Sequence, residues 1–373
     1  MPISFYSRFR SPHERELIED CLMGPMASDG DCAARVQGLF QSRLHTNLPF
    51  LTPSCTHALE LALGVLHLKS GDEVILPSYN FPSAGNAVLL AGGTPVLCDV
   101  DPDTQNLDID DMQRRITPRT RAVITVHYGA VSCDMDRLVR LANEAGLILI
   151  EDAAQAVGAF YKGRHLGTIG DFGAYSFHST KNISCGEGGA LTCAEKYRQQ
   201  AELYRECGTN RSGYLRGESG RYAWTSRGSS LILSEWCACL LYAQLLSLEE
   251  ITSRRLELCE AYRQALLPLE ESGRLRLMSV PPDCSSNGHL FYVRFDGPGT
   301  LGRVQNRLHS QGIDARTHYV PLHMSPMGHA LGYRDDDLPA SRRAYETLLR
   351  LPVHPNLSVG EAQQVAQVLA HAL

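Results

Sequence analysis

The feature that most constrains this chain is an alternation of short apolar runs with helical stretches. Residues 48–51, 73–76, 95–98, 121–126 and 147–150 read as strands, and 55–68, 84–90 and 135–145 between them read as helices. Gly71-Asp72 and Ala91-Gly92-Gly93 punctuate the units as turns. The strands are nearly continuous apolar runs, as strands covered on both sides should be. Strand–helix–strand units join parallel neighbours. The expected fold class is therefore α/β, with a mainly parallel central sheet and helices on both faces.

After Leu233 the texture changes. Residues 234–246 form an apolar helix. Residues 249–267 form a longer, more charged one with a stripe of Leu256, Cys259, Tyr262, Leu266 and Leu267 at helical spacing. From Leu290 the pattern is strand, helix (301–309), strand, a loop rich in His, Pro and Met, and a closing helix over 359–369. At roughly 100–200 residues per domain, 373 residues predict two domains. We expect a large one over 1–248, including an N-terminal arm, and a smaller α/β one over 249–373.

Composition excludes several classes of function. With 43% hydrophobic and 20% charged residues the chain can build a core, and a net charge of −6 argues against binding nucleic acid through a basic surface. No run approaches the roughly 18 apolar residues of a membrane span, and Met1 to Arg8 has no apolar signal core. A cytoplasmic protein is expected. None of the twelve cysteines forms a Cys-x-x-Cys pair, which predicts reduced thiols. His318 and His323 have no cysteine pair nearby to complete a zinc set, so no metal is expected.

Parallel sheets bind ligands at the carboxyl ends of their strands. After the first strand comes Thr52-Pro53-Ser54-Cys55-Thr56, which is either a phosphate cradle at a helix start or an ordinary N-cap. After the second comes Pro77-Ser78-Tyr79-Asn80-Phe81, whose phenylalanine either stacks on a flat ligand or packs in the core. Glu151-Asp152 ends a buried strand, where acids need partners: a protonated ring nitrogen, a metal, a helix cap or an ion pair. The most informative segment is Tyr175-Ser176-Phe177-His178-Ser179-Thr180-Lys181-Asn182, followed by Gly186-Glu187-Gly188-Gly189. Of only four lysines, Lys69, Lys162 and Lys196 read as solvated surface charges, which leaves Lys181. Neither a Walker loop nor a dinucleotide fingerprint is present. A phosphate cradle, a stacking aromatic, a buried acid and a loop lysine together suit pyridoxal phosphate, which carries a phosphate, a flat ring, a ring nitrogen and an aldehyde.

These residues, taken in order, resemble the DegT/DnrJ/StrS family of pyridoxal-phosphate-dependent sugar-nucleotide aminotransferases over almost the whole chain. Asp99-Val100-Asp101-Pro102-Asp103-Thr104, His318-Tyr319 and Pro321-Leu322-His323 extend the match. The resemblance implies a type I aminotransferase fold in which Lys181 carries the cofactor as a Schiff base. Asp152 would pair with the ring nitrogen, and Gln155 would lie near the phenolic oxygen. Phe81 would stack on the ring, and Cys55, Thr56 and Ser176 would hold the phosphate. Active sites shared across a homodimer are also implied. Many members carry Gly-x-Asn-x-Arg in the segment that reaches the partner's cofactor, whereas this chain reads Gly228-Ser229-Ser230-Leu231-Ile232. Ser230 can still donate to a phosphate. With Ile232 in place of Arg, the amino donor's carboxylate needs another cation, and Arg211 is the expectation. Tyr128, His318, Tyr319 and His323 are expected at the sugar, with loop packing as the other reading for the last three.

Shorter markers are Val126-His127-Tyr128, Cys133-Asp134-Met135-Asp136, Gly208-Thr209-Asn210-Arg211-Ser212 and Gly228-Ser229-Ser230. They are similar to members that aminate dTDP-4-keto-6-deoxy-D-glucose with L-glutamate, giving dTDP-4-amino-4,6-dideoxy-D-galactose. Amination at C4 with gluco configuration, or at C3 of a 3-keto sugar nucleotide, are the alternatives. A non-catalytic regulator on the same fold is disfavoured by the intact Lys181 and Asp152.

Overall fold

The computed structural model describes residues 2–24, 27–45 and 49–373; Met1 of the amino-terminal stretch and Leu48 of the first expected strand lie outside the described residues. The strands, in chain order, begin with β1 (Phe50–Thr52), β2 (Glu73–Pro77), β3 (Thr94–Cys98), β4 (Thr120–Val126) and β5 (Ile148–Asp152). They continue with β6 (Phe160–Tyr161), β7 (Arg164–His165), β8 (Phe172–Ser176) and β9 (Gly189–Cys193). The last are β10 (Arg276–Leu277), β11 (Cys284–Ser285), β12 (Phe291–Arg294) and β13 (Leu348–Leu351).

Seven of these form the central sheet in the order β1-β9-β8-β5-β4-β2-β3. The run from β8 through β5, β4 and β2 to β3 is parallel. The exception is β9, antiparallel to both β8 and β1. The segment from Phe177 to Gly188 contains no helix, and a parallel return needs a crossover, so the chain comes back antiparallel. Because β1 opposes β9, it runs with the rest. The carboxyl ends of β1, β2, β4, β5 and β8 therefore share one edge.

β2, β5's last four residues and β8 are wholly buried, and the apolar helix Cys55–Val65 packs on this sheet. A second, antiparallel sheet, β10-β12-β13, is covered by the helices Leu248–Glu271, Pro298–Ser310 and Val359–Ala372. Its own apolar cluster includes Tyr262, Phe291, Val293, Val304, Leu349 and Val365. Ile3 joins this cluster and bridges to Ile313, which carries the amino-terminal stretch across to the second sheet. The long helix is rotated from the stripe read in the sequence. Ile251, Arg255, Leu258, Tyr262 and Leu266 are buried, whereas Leu256 and Leu267 are exposed. Among the described residues no helix is long and apolar enough to cross a membrane.

Candidate active site

Where the shared strand edge faces the second sheet, a cavity of about 540 Å³ opens. Cys55, Thr56, Phe81, Asp152, Gln155, Ser176, Lys181, His318 and Tyr319 all line it. Residues up to 264 positions apart meet because each follows a strand at the same edge or reaches over it from the second sheet.

The helix Cys55–Val65 begins at the end of β1. Ser54 caps it, its Oγ accepting from His57 N at 3.2 Å. The N–H groups of the first turn have no intrahelical acceptor and suit an anion. Thr56 Oγ1 lies 2.7 Å from Ser83 Oγ. Gly189, which opens β9, sits directly under this helix start. A Cβ there would fall 2.3 Å from the Ser54 carbonyl carbon and 2.5 Å from Cys55 N. Gly189 pairs with Thr52 on one side and Ser176 on the other, so one glycine sets the spacing of the cradle.

Strand alternation separates the two acids of β5. Glu151 is fully buried and receives His127 Nε2 at 2.8 Å and the N–H groups of Gly167, Ile169 and Gly170 at 2.6–2.7 Å. Burial pushes its carboxyl up, but these hydrogen bonds, that of His127 foremost, prevail and hold it below the usual range. Glu151 is structural. Asp152 faces the cavity, with Oδ1 accepting from Ala154 N at 3.2 Å and Cys55 Sγ at 4.0 Å. Burial raises its pKa against the pull of the Ala154 N–H and of Lys181. The same burial lowers Lys181, although Cys55 and Asp152 oppose it. The cavity thus holds an amine biased toward its neutral, nucleophilic form beside a carboxyl that a bound cation would re-ionise.

The other lysines point away. Lys162 pairs with Asp136 and Lys196 with Asp171, and Lys69 is exposed. Phe81 is 56% exposed at the cavity mouth, so it is not a core residue. Gln155 Oε1 accepts from Gly129 N at 2.8 Å, which fixes its amide at the wall. His318 stacks on Tyr319 with ring centroids 3.8 Å apart.

Two residues expected at the sugar do not line the cavity. Tyr128 is buried behind the wall, its hydroxyl 3.0 Å from His318 Nδ1, so it orients His318 and does not line the cavity. His323 is fully buried, held by Ser78 Oγ at 2.7 Å and the Asp335 carbonyl at 3.2 Å. Ser230 is exposed and pairs its backbone with Glu206, away from this chain's own cavity. Arg211 also lies outside it, 3.7 Å from both Asp29 and Glu206.

Sequence reasoning missed Arg255, Arg316, Arg350 and His289, which line the cavity from the second sheet and its helix. One signal was available: Arg350 interrupts the apolar run Leu348-Leu349-Arg350-Leu351. Elsewhere, Cys32, Glu235 and Cys239 place ligand-type atoms within 4.8 Å of one another. The Glu235 carboxylate there accepts from the N–H groups of Gly30, Cys32 and Ala33, capping the helix Asp31–Leu44.

Comparison with known proteins gives a consistent result. The model of the DegT/DnrJ/EryC1/StrS aminotransferase family matches residues 11–370. The chain is 35% identical to the dTDP-4-dehydro-2,3,6-trideoxy-D-glucose 4-aminotransferase of Saccharopolyspora spinosa, over 86% of this chain and 83% of that protein. It is 33% identical to the spore coat polysaccharide biosynthesis protein SpsC of Bacillus subtilis, over 85% and 83%. Its fold matches S. venezuelae DesV, solved in complex with a ketimine intermediate, with a TM-score of 0.87 and 31% identity, over 95% and 93% of the two chains.

Proposed function

This chain belongs to the DegT/DnrJ/EryC1/StrS aminotransferase family, and on that premise we propose that it moves the amine of L-glutamate to C4 of a nucleotide-linked 4-keto-6-deoxy sugar. The products are an amino sugar nucleotide and 2-oxoglutarate. The reading takes dTDP-4-keto-6-deoxy-D-glucose as acceptor and dTDP-4-amino-4,6-dideoxy-D-galactose as product. The 4-aminotransferase named among the relatives supports the position and the nucleotide.

The observation that carries the proposal is the meeting of Lys181 and Asp152 beside the helix start at Cys55 and Thr56 in one cavity. These residues fit pyridoxal phosphate: a helix start for the phosphate, Phe81 for a ring face, a buried carboxyl for the ring nitrogen and a burial-depressed amine for the aldehyde. When bound, the cofactor supplies a carbonyl that captures amines and a ring that accepts electrons released at the donor's Cα. Around it, Cys55, Thr56 and Ser176 would hold the phosphate, and Asp152 would keep its charge beside the protonated ring nitrogen. Lys181, once its amine is free, takes the proton from the donor's Cα and returns one to the acceptor sugar's carbon. His318, steadied by Tyr128 and stacked on Tyr319, borders the space left for the sugar. We assign the cofactor cradle to 1–248 and the closing unit to 249–373.

The site is proposed to be completed by a second copy of the chain. In support, Ser230 lies away from its own cavity, and Leu215, Tyr222 and Trp224 are exposed. Covering such side chains is what an isologous interface does. The free cysteines suit a reducing, cytoplasmic setting.

The test is incubation of the cofactor-loaded protein with glutamate and a panel of 3-keto and 4-keto sugar nucleotides, with NMR of the products. A 4-amino-6-deoxy sugar nucleotide is expected, and its coupling constants give the configuration. Amination at C3, or none across the panel, refutes the assignment.

A further inference from the structure

We propose that Arg350 is the carboxylate anchor of the amino donor, the role left vacant by Ile232. The proposal rests on the transaminase reading above and names how that same cavity selects its donor.

The cavity is built for anions. Lys181, Arg255, Arg316 and Arg350 line it, against Asp152 and Glu187 of opposite charge among the described residues. Three of the arginines in or near the site are already engaged. Arg255 spends one end on the carbonyls of Gly288, His289 and Val353, at 3.0–3.2 Å. Arg316 is forked onto Asp314, with Nη2 at 2.6 Å. Arg211, outside the cavity, sits between Asp29 and Glu206.

Arg350 differs. Like Arg255 it buries an Nε without a partner and forms no ion pair among the described residues, but where Arg255 is held by three carbonyls, the Arg350 guanidinium makes one hydrogen bond among those residues, from Nη2 to the Thr317 carbonyl at 2.9 Å. Burial pushes its guanidinium below the ordinary range. A charge taken out of water without a counter-ion is costly, and a ligand anion removes that cost. The fork is also pre-set. Arg350 lies on β13, its backbone paired with Tyr292 on one side and Arg316 on the other, and its guanidinium rests 4.7 Å from the Phe5 ring centre. A planar guanidinium held this way matches a planar carboxylate. It lines the same cavity as the helix start that suits the phosphate, close enough to Lys181 and His318 for its charge to act on them.

The test uses the cofactor-loaded protein and the variants Arg350→Ala, Arg350→Lys and Arg211→Ala, each first checked for an unchanged cofactor absorbance and melting temperature. Two constants are measured apart: the glutamate concentration that half-saturates the absorbance change in the donor half-reaction, and the KM for the keto sugar nucleotide. Binding of 2-oxoglutarate is followed by calorimetry as a readout that needs no turnover. Arg350→Ala should weaken glutamate and 2-oxoglutarate by tenfold or more and change the sugar KM less than threefold. Arg350→Lys should fall between Arg350→Ala and the parent, and Arg211→Ala should be neutral toward the donor. Equal loss for donor and sugar, loss confined to the sugar nucleotide, or a selective donor loss in Arg211→Ala instead would each overturn the proposal. A parent protein that binds 2-oxoglutarate through Arg350 yet aminates no sugar would refute the proposed function and leave the anchor standing.

Discussion

Replacing Gly189 with alanine probes how the chain holds Cys55, Thr56 and Ser176 at one spacing. The objection to alanine is space, since its Cβ would sit 2.3 Å from the Ser54 carbonyl carbon and 2.5 Å from Cys55 N, whereas ordinary contact begins at 3.4 Å. Both neighbours are backbone, so no side chain can swing aside. The helix start must retreat by about 1 Å, or β9 must shift away from β1 and β8; overpacking of this kind costs about 1–3 kcal/mol. A displacement of about 1 Å in a positioning group can also cost about 10²-fold in rate. Gly189→Ala should therefore weaken pyridoxal phosphate, titrated by absorbance into cofactor-free protein, by about 5- to 150-fold, and turnover should fall further. Gly302→Ala is the control, since nothing lies within 4 Å of its Cβ inside the helix Pro298–Ser310; it should be neutral or stabilise by up to ~1 kcal/mol. A Gly189→Ala protein with parental cofactor affinity would refute the claim that this close approach sets the cradle.

Asp152→Asn removes the charge expected at the ring nitrogen and should lower turnover by about 10²–10³-fold, measured with saturating cofactor; an unaffected rate would remove Asp152 from the chemistry. Glu151→Gln leaves backbone donors and His127 facing an amide, and should destabilise the protein by about 1–3 kcal/mol in thermal or denaturant unfolding. Because the Glu151 carboxyl is held below its ordinary range, its contribution to stability is present above the unfolded-state value and lost as pH falls through the folded one; acid melts of the parent should be steeper there than those of Glu151→Gln. The Lys181 amine is depressed by burial, so cofactor capture by cofactor-free protein should level off below the pH at which a free lysine titrates, about 10.4. A capture rate still rising at that pH would contradict it. His323→Ala should cost about 1–3 kcal/mol by taking the ring from the Ser78 hydroxyl and the Asp335 carbonyl while the sugar KM stays unchanged, and a raised KM would return His323 to the substrate.

The order of strands and helices, the helix start at Cys55 and the singling out of Lys181 were all legible in the linear chain, because each depends on near neighbours: apolar periodicity, capping residues and turn residues. Phe81, Lys181 and the pair Glu151-Asp152 could be nominated one by one, since each stands beside the end of a strand. What local pattern could not decide was which of Glu151 and Asp152 faces the ligand, since that follows from which side of β5 is covered by His127 and the 167–170 turn. Nor could it decide the reversal of β9, the burial of His323 against Ser78, or the arrival of Arg350 from 169 residues beyond Lys181. Strand and helix are set by forces that reach a few residues along the backbone. Desolvation, ion pairing and the sharing of one cavity depend on which distant segments exclude water together, and only the folded chain determines that.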